Sequence, residues 1–263
     1  MIKLIACDLD GTALDDNKVL DKELLKLIPV LKEKGVLLTF ISGRNEELLK
    51  DYIDEANIDI PYGTNNGAIL YQNHNSIFTD YLNQTYNNYL VHTLADYDIS
   101  YRAFTLENVY KNGASPFLDV RTKYYQDIQT NYSKDMDISN EHLYKITADF
   151  YNHLDIFPQV YDVITSKCES VAFLKADETV YCINSDTSNK GEALRRIAQI
   201  LDIDKKETMV FGDNETDIPM FKVAEVSVAM ENGEEEAKRH AKHICKSNRE
   251  MGVSSFIKEY LNL

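Results

Sequence analysis

The chain has few cysteines, and Cys7, Cys168, Cys182 and Cys245 are scattered without a Cys-x-x-Cys pair. Reduced thiols are therefore expected rather than a disulfide framework. No basic-then-apolar leader opens the sequence and no apolar run approaches the length of a membrane span, so a cytoplasmic protein is expected. Positive charge is also short: 28 Lys and Arg stand against 43 Asp and Glu, a formal net charge of −15. That balance argues against non-specific binding to nucleic acid or an anionic membrane, both of which need a positive field. No Gly-x-Gly-x-x-Gly follows the first apolar run, which removes support for a dinucleotide-dependent oxidoreductase. Internal repeats, low-complexity tracts and coiled-coil heptads are likewise lacking.

With 263 residues the chain is long enough for one large or two ordinary domains, and two are expected. Its most informative stretch is Asp-Leu-Asp-Gly-Thr at 8–12, directly after the apolar run Leu4, Ile5, Ala6, Cys7. An apolar run of this kind predicts a strand covered on both faces, and ligands in open α/β sheets gather at carboxyl-terminal strand ends. Residues two apart in an extended segment share a face, so Asp8 and Asp10 are expected to project together. Two adjacent carboxylates repel, and a hard cation such as Mg2+ is the simplest way to stabilise them beside a phosphate substrate. The same letters open a calcium loop, but such a loop needs a ligand, Gly and Glu where this chain has Thr12, Ala13 and Val19.

The first eighty residues alternate strand and helix signals. A strand is expected over 4–9, a helix over 22–34 with Leu24, Leu27, Ile28 and Leu31 on one face, and a strand over 36–41. A further helix over 45–56 carries Leu48, Leu49, Tyr52, Ile53 and Ala56. After residue 185 the same grammar returns: Asn189 caps a helix striped by Ala193, Leu194, Ile197, Ala198 and Leu201, and 208–212 reads as a strand ending at Asp213. This alternation predicts a parallel sheet with right-handed crossovers, a Rossmann-like α/β core. Between the halves the texture shifts to Tyr- and Asn-rich segments with short β-like runs. That middle is expected as an α+β domain inserted in a loop, with 1–82 and 186–263 forming the core and 83–185 the insert. Its tyrosines are explained by strand propensity and half-buried faces.

Three more segments fall at predicted strand ends or helix starts. Ser42, Gly43 and Arg44 close the second strand, where the Ser42 hydroxyl and backbone N–H groups form an anion site; capping of the next helix is the plainer use of Ser42. Lys190 could set an ammonium against a phosphoryl oxygen, although alone it reads as a solvated lysine. Gly212 and Asp213, with Asp217 four residues on, supply acidic groups from another strand, as a magnesium site requires.

Taken in order, Asp-Leu-Asp-Gly-Thr at 8, Ser-Gly-Arg at 42, Asn-Lys-Gly at 189 and Gly-Asp-Asn-Glu-Thr-Asp at 212 resemble the four motifs of the haloacid dehalogenase-like phosphatases. The chain is similar to the Cof-like branch, which places a large cap between its second and third motifs. Asn66-Gly67-Ala68 and Gly252-Val253 resemble that branch too. It departs from the pattern at Thr216, where Asn associated with the substrate phosphate is usual, and at Met230-Glu231-Asn232, where Met-Gly-Asn is usual. Glu234, Glu235 and Glu236 make the adjoining helix start unusually acidic.

The resemblance implies a Mg2+-dependent phosphatase of small phosphorylated metabolites, with Asp8 as nucleophile forming an aspartyl phosphate and Asp10 as acid, then base. It implies metal ligation by Asp8, by the Asp10 carbonyl and by Asp213, with Asp217 holding a metal-bound water or orienting Lys190. The Leu9 amide, Ser42, Gly43, Lys190 and Thr216 would surround the phosphate. A phosphomutase of the same superfamily and a non-catalytic binding protein that keeps the fold are the rival readings. The inserted domain would read the leaving group, with Arg102, Arg121, Lys123 and Tyr124 among its candidates.

Overall fold

The computed structural model describes residues 1–122, 129–132 and 137–263. Lys123 and Tyr124 lie outside them, as does the side chain of Arg121. In chain order the strands and α-helices are β1 (Leu4–Cys7), α1 (Lys22–Glu33), β2 (Leu37–Phe40), α2 (Glu46–Glu55), β3 (Tyr62–Thr64), β4 (Ile69–Gln72), β5 (Asn75–Thr79), α3 (Asn87–Asp96), β6 (Ser100–Phe104), β7 (Asn108–Asn112) and α4 (Pro116–Thr122). They continue with β8 (Gln129–Tyr132), β9 (Lys145–Asp149), α5 (Phe157–Thr165), β10 (Val171–Lys175), β11 (Val180–Ser185), α6 (Lys190–Ile200), β12 (Thr208–Gly212), α7 (Ile218–Val223), β13 (Val226–Met230), α8 (Glu235–His240), β14 (His243–Cys245) and α9 (Gly252–Leu261).

The chain divides into two compact units, Met1–Phe78 with Asn189–Leu263, and Thr79–Ser188. In the first unit five strands form a sheet in the order β14-β13-β12-β1-β2, and every pairing in it is parallel. All four residues of β1 are buried, as expected of a strand with helices on both faces. The expected strand over 4–9 stops at Cys7, because residues 9–14 turn back on themselves through Thr12 N–H to Leu9 O and Leu14 N–H to Leu9 O. Asp21 starts α1 by accepting from the amides of Glu23 and Leu24, and the helix buries Leu24, Leu27, Ile28 and Leu31. Each such side chain contributes about 1.5–3 kcal/mol on burial. A three-stranded sheet, β3-β4-β5, completes the unit.

The second unit carries a six-stranded sheet in the order β10-β11-β9-β6-β7-β8. Alternation along its strands sends Tyr101, Ala103, Ile146, Ala148 and Ile183 into a core shared with Leu90, Val91 and Leu94 of α3 and Val160 and Ile164 of α5. The unit boundary falls a few residues outside the expected 83–185: Leu82 joins this core and its N–H donates to Leu143 O. Arg102, a candidate from sequence for reading a leaving group, is instead used within the unit. It is buried, donates to the carbonyls of Tyr101 at 2.7 Å, Asn112 at 3.1 Å and Gly113 at 3.2 Å, and pairs with Asp119.

All four cysteines are free, and Cys7, Cys168 and Cys245 are buried. Among the described residues no helix is long and apolar enough to cross a membrane.

Candidate active site

Parallel pairing fixes where the acidic groups emerge. Strands β1 and β12 are in register at Cys7 and Phe211, and the Asp8 N–H continues the ladder to Phe211 O at 3.0 Å. Asp8 and Asp213 therefore leave neighbouring strands at the same end of the sheet. Gly212 is required by its surroundings, since a Cβ there would lie 2.3 Å from Asp217 Cγ. Gly11 is required twice over: its φ is +78°, and a Cβ would lie 2.3 Å from Asp213 Oδ2.

Asn189 caps α6 through Glu192 N–H, which sets Lys190 at the first helical position. Its ammonium lies 2.8 Å from Asp8 Oδ1 and 2.6 Å from Asp217 Oδ1. The remaining Asp217 oxygen accepts the N–H groups of Asp213 at 2.8 Å and Asn214 at 3.0 Å. Asp217 is thus a buried strut that holds both Lys190 and the 213–214 backbone. Thr12 Oγ1 donates to Asp213 Oδ1 at 3.1 Å.

Three carboxylates meet one ammonium here. Oxygens of Asp8, Asp213 and Asp217 all lie within 4.8 Å of one another. Burial pushes the Asp8 carboxyl up and Asp217 adds to it, while Lys190 opposes; the result is about 6. Burial, then the charges of Asp8 and Asp217, push Asp213 up to about 8. Burial alone would lower the Lys190 ammonium, but Asp217 and Asp8 outweigh it and hold the charge on. The excess negative charge is what a divalent cation neutralises.

Asp10 does not join Asp8. The expectation that they share a face assumed an extended segment, and the chain turns after Asp8. The Asp10 carboxylate instead takes Arg44 Nε at 2.6 Å and Arg44 Nη2 at 2.8 Å, with Lys18 Nζ at 2.7 Å. Burial pushes this carboxyl up, but the bonds from Arg44 and Lys18 win and hold it at about 2. Arg44 is itself braced by the Tyr52 ring, 5.0 Å from its guanidinium carbon, and by Leu48 O at 3.3 Å. Arg44 was visible in the Ser-Gly-Arg motif without an assigned task, and Lys18, a loop lysine, carried no signal.

Ser42 is buried, and its hydroxyl oxygen accepts Arg44 N–H at 3.2 Å. It does not cap α2; Asn45 does, accepting from Leu48 N–H. Gly43 packs against Asn66, whose Oδ1 would lie 3.0 Å from a Cβ at that position. The Leu9 N–H bonds to the Asp8 carboxylate and so opposes its upward shift. Thr216 departs from the sequence expectation: its hydroxyl donates to Asn214 Oδ1 at 2.7 Å, inside the turn that leads to Asp217.

The sequence matches the family model described as haloacid dehalogenase-like hydrolase over residues 5–257. It is 26% identical over 290 residues to the 5-amino-6-(5-phospho-D-ribitylamino)uracil phosphatase YwtE of Bacillus subtilis, covering 99% of each chain. It is 25% identical over 282 residues to the identically described YitU of the same organism, covering 99% of this chain and 98% of that one. The fold is similar to the crystal structure of TM0651 from Thermotoga maritima, with a TM-score of 0.82 at 23% identity, covering 98% of this chain and 97% of that one.

Proposed function

The chain belongs to the haloacid dehalogenase-like hydrolases, and from that premise we propose that it is a Mg2+-dependent phosphatase acting on small phosphorylated metabolites through an aspartyl phosphate on Asp8. The convergence of Asp8 and Asp213, at the carboxyl ends of adjacent parallel strands, with Lys190 at the start of α6 carries this reading. The donor set fits magnesium: it is all oxygen, and two of its carboxyls are driven upward by burial first and by neighbouring carboxylates second. Asp8 and Asp213, with the Asp10 carbonyl, would hold the ion. When bound it supplies charge neutralisation and polarises the phosphoryl group. Asp217, both of whose oxygens are engaged, serves by orienting Lys190.

An Asp8 carboxylate oxygen bonds to phosphorus as the bond to the leaving oxygen breaks, giving the aspartyl phosphate. Asp10 gives its proton to that leaving oxygen. It then takes a proton from the water whose oxygen attacks phosphorus and releases Asp8. Because Arg44 and Lys18 keep Asp10 ionised, its proton-donating form requires that this clamp open. Lys190 Nζ, the Ser42 hydroxyl and the Gly43 and Leu9 amides stabilise the phosphoryl oxygens, since phosphoryl transfer is mainly positioning and charge stabilisation. The unit Thr79–Ser188 is the one proposed to read the leaving group.

The names of YwtE and YitU support a phosphate carried by a small metabolite, a sugar phosphate or cofactor phosphate. Inorganic phosphate release from sugar phosphates, nucleotides and 5-amino-6-(5-phospho-D-ribitylamino)uracil, with and without Mg2+, tests the reading. Mg2+-dependent release from at least one is expected. Conversion of a hexose phosphate to its isomer without release would make the protein a mutase, and no turnover of any compound would make it a binding protein.

A further inference from the structure

The turn that follows Asp8 carries Asp10 and lies against Asp213, and isolated bridges of Asp10 with Leu14 and of Leu14 with Leu20 pair its backbone. Two of its carbonyls are also held from distant loops. Asn232 Nδ2 donates to Gly11 O at 2.8 Å, and Asn248 Nδ2 donates to Leu14 O at 2.8 Å. The two asparagines are themselves joined, since Asn248 N–H donates to Asn232 Oδ1 at 2.9 Å. Between these anchors the Asp21 N–H donates to Ala13 O at 3.0 Å. The grips on Gly11 and Leu14 come from residues more than two hundred positions away, in the loops after β13 and β14.

We propose that Asn232 and Asn248 act together as positioning residues that fix the Gly11–Leu14 backbone, and with it the placement of Asp10 and Asp213 for phosphoryl transfer. The proposal rests on the phosphatase reading above. It gives a task to Met230-Glu231-Asn232, where the chain departs from the usual pattern at Glu231 but keeps the amide that reaches Gly11. Among the described residues no hydrogen bond joins either asparagine side chain to an acidic side chain of the site, so each acts through the backbone it holds. Two further bonds order the loop that presents Asn232 and join it to the Asp213 backbone: Gly233 N–H donates to Met230 O at 3.0 Å and Glu234 N–H to Asp213 O at 2.7 Å. The carbonyls of Gly11 and Asp213 are therefore both fixed by one segment, residues 230–234.

Asn232 is exposed and Asn248 is buried, so the substitutions are made at Asn232. Asn232→Asp keeps the acceptor for Asn248 N–H and loses the donor to Gly11 O, whereas Asn232→Ala loses both. Steady-state kinetics on p-nitrophenyl phosphate in Mg2+, paired with hydrogen exchange of a peptide covering residues 9–16, read the effect. Both variants should lose about 10- to 100-fold in kcat with KM within about threefold of wild type, as slight misplacement of reacting groups does. Exchange should quicken in 9–16 and stay unchanged in β13 and α6. Wild-type kcat in Asn232→Asp, or unchanged exchange in 9–16, overturns the proposal. Should the wild type release no phosphate, the phosphatase reading fails, and the exchange measurement still decides whether the asparagines hold the turn.

Discussion

Lys190 Nζ lies 2.8 Å from Asp8 Oδ1, and neither side chain is more than 4% exposed. The pair is completed by Asp217, so removing the ammonium leaves two carboxylates buried without their partner. Breaking a buried ion pair from one side costs about 3–5 kcal/mol. Lys190→Met is therefore expected to lower the melting temperature and to abolish measurable turnover. Mg2+ should recover part of the stability and none of the rate. Equal melting temperatures for the variant and the wild type would contradict this view of the triad.

Thr216 separates a turn role from a phosphate role. Its hydroxyl is committed to Asn214 Oδ1 at 2.7 Å, so Thr216→Val should cost about 0.5–1.5 kcal/mol of stability, the worth of a neutral hydrogen bond. Steady-state constants of the folded variant should match the wild type. A large rise in KM with the melting temperature unchanged would return the hydroxyl to the phosphate.

Much of the core was legible because its signals are local. The buried run of β1, the Asn189 cap and the stripe of α6 each follow from period and capping chemistry, and each lies where the sequence places it. Legibility failed where a tertiary turn replaced local geometry. The spacing of Asp8 and Asp10 implied a shared face, but the chain leaves β1 at Cys7, and Arg44 and Lys18 draw Asp10 aside. Arg102 was equally opaque, because charge in a sequence does not announce whether it will be spent on backbone carbonyls. The asparagine contacts span 221 and 234 positions, a separation no periodicity reveals.

A histidine outside the site gives the protein a pH-dependent term. His74 Nδ1 lies 2.8 Å from Glu46 Oε1 and Nε2 lies 2.9 Å from Asp54 Oδ1, tying the turn before β5 to α2. The bonds from Glu46 and then Asp54 raise the His74 pKa above its ordinary 6.5. The folded state thus binds the proton more tightly, and the stabilisation is fully present below 6.5 and lost as pH rises through the raised value. His74→Gln should melt below the wild type at pH 6 and converge with it at pH 9. A difference independent of pH would remove the charge on His74 from the account.

Cation binding has a readout that needs no substrate. A ligand that binds only the folded state stabilises it by about 2.7 kcal/mol at one hundred times its Kd. Mg2+ should accordingly raise the melting temperature of chelator-treated protein, and Asp213→Asn should abolish most of that shift. An equal shift in the variant would place the ion elsewhere.

Asp8 is the group proposed to take the phosphoryl. Turnover of p-nitrophenyl phosphate by Asp8→Asn in saturating Mg2+, compared with wild type under the same conditions, addresses this most directly. The amide keeps the volume of the side chain but neither attacks phosphorus nor carries the charge that Lys190 faces. Mg2+-dependent turnover is expected in the wild type and none above background in Asp8→Asn; a variant that turns over at the wild-type rate would contradict a nucleophilic Asp8.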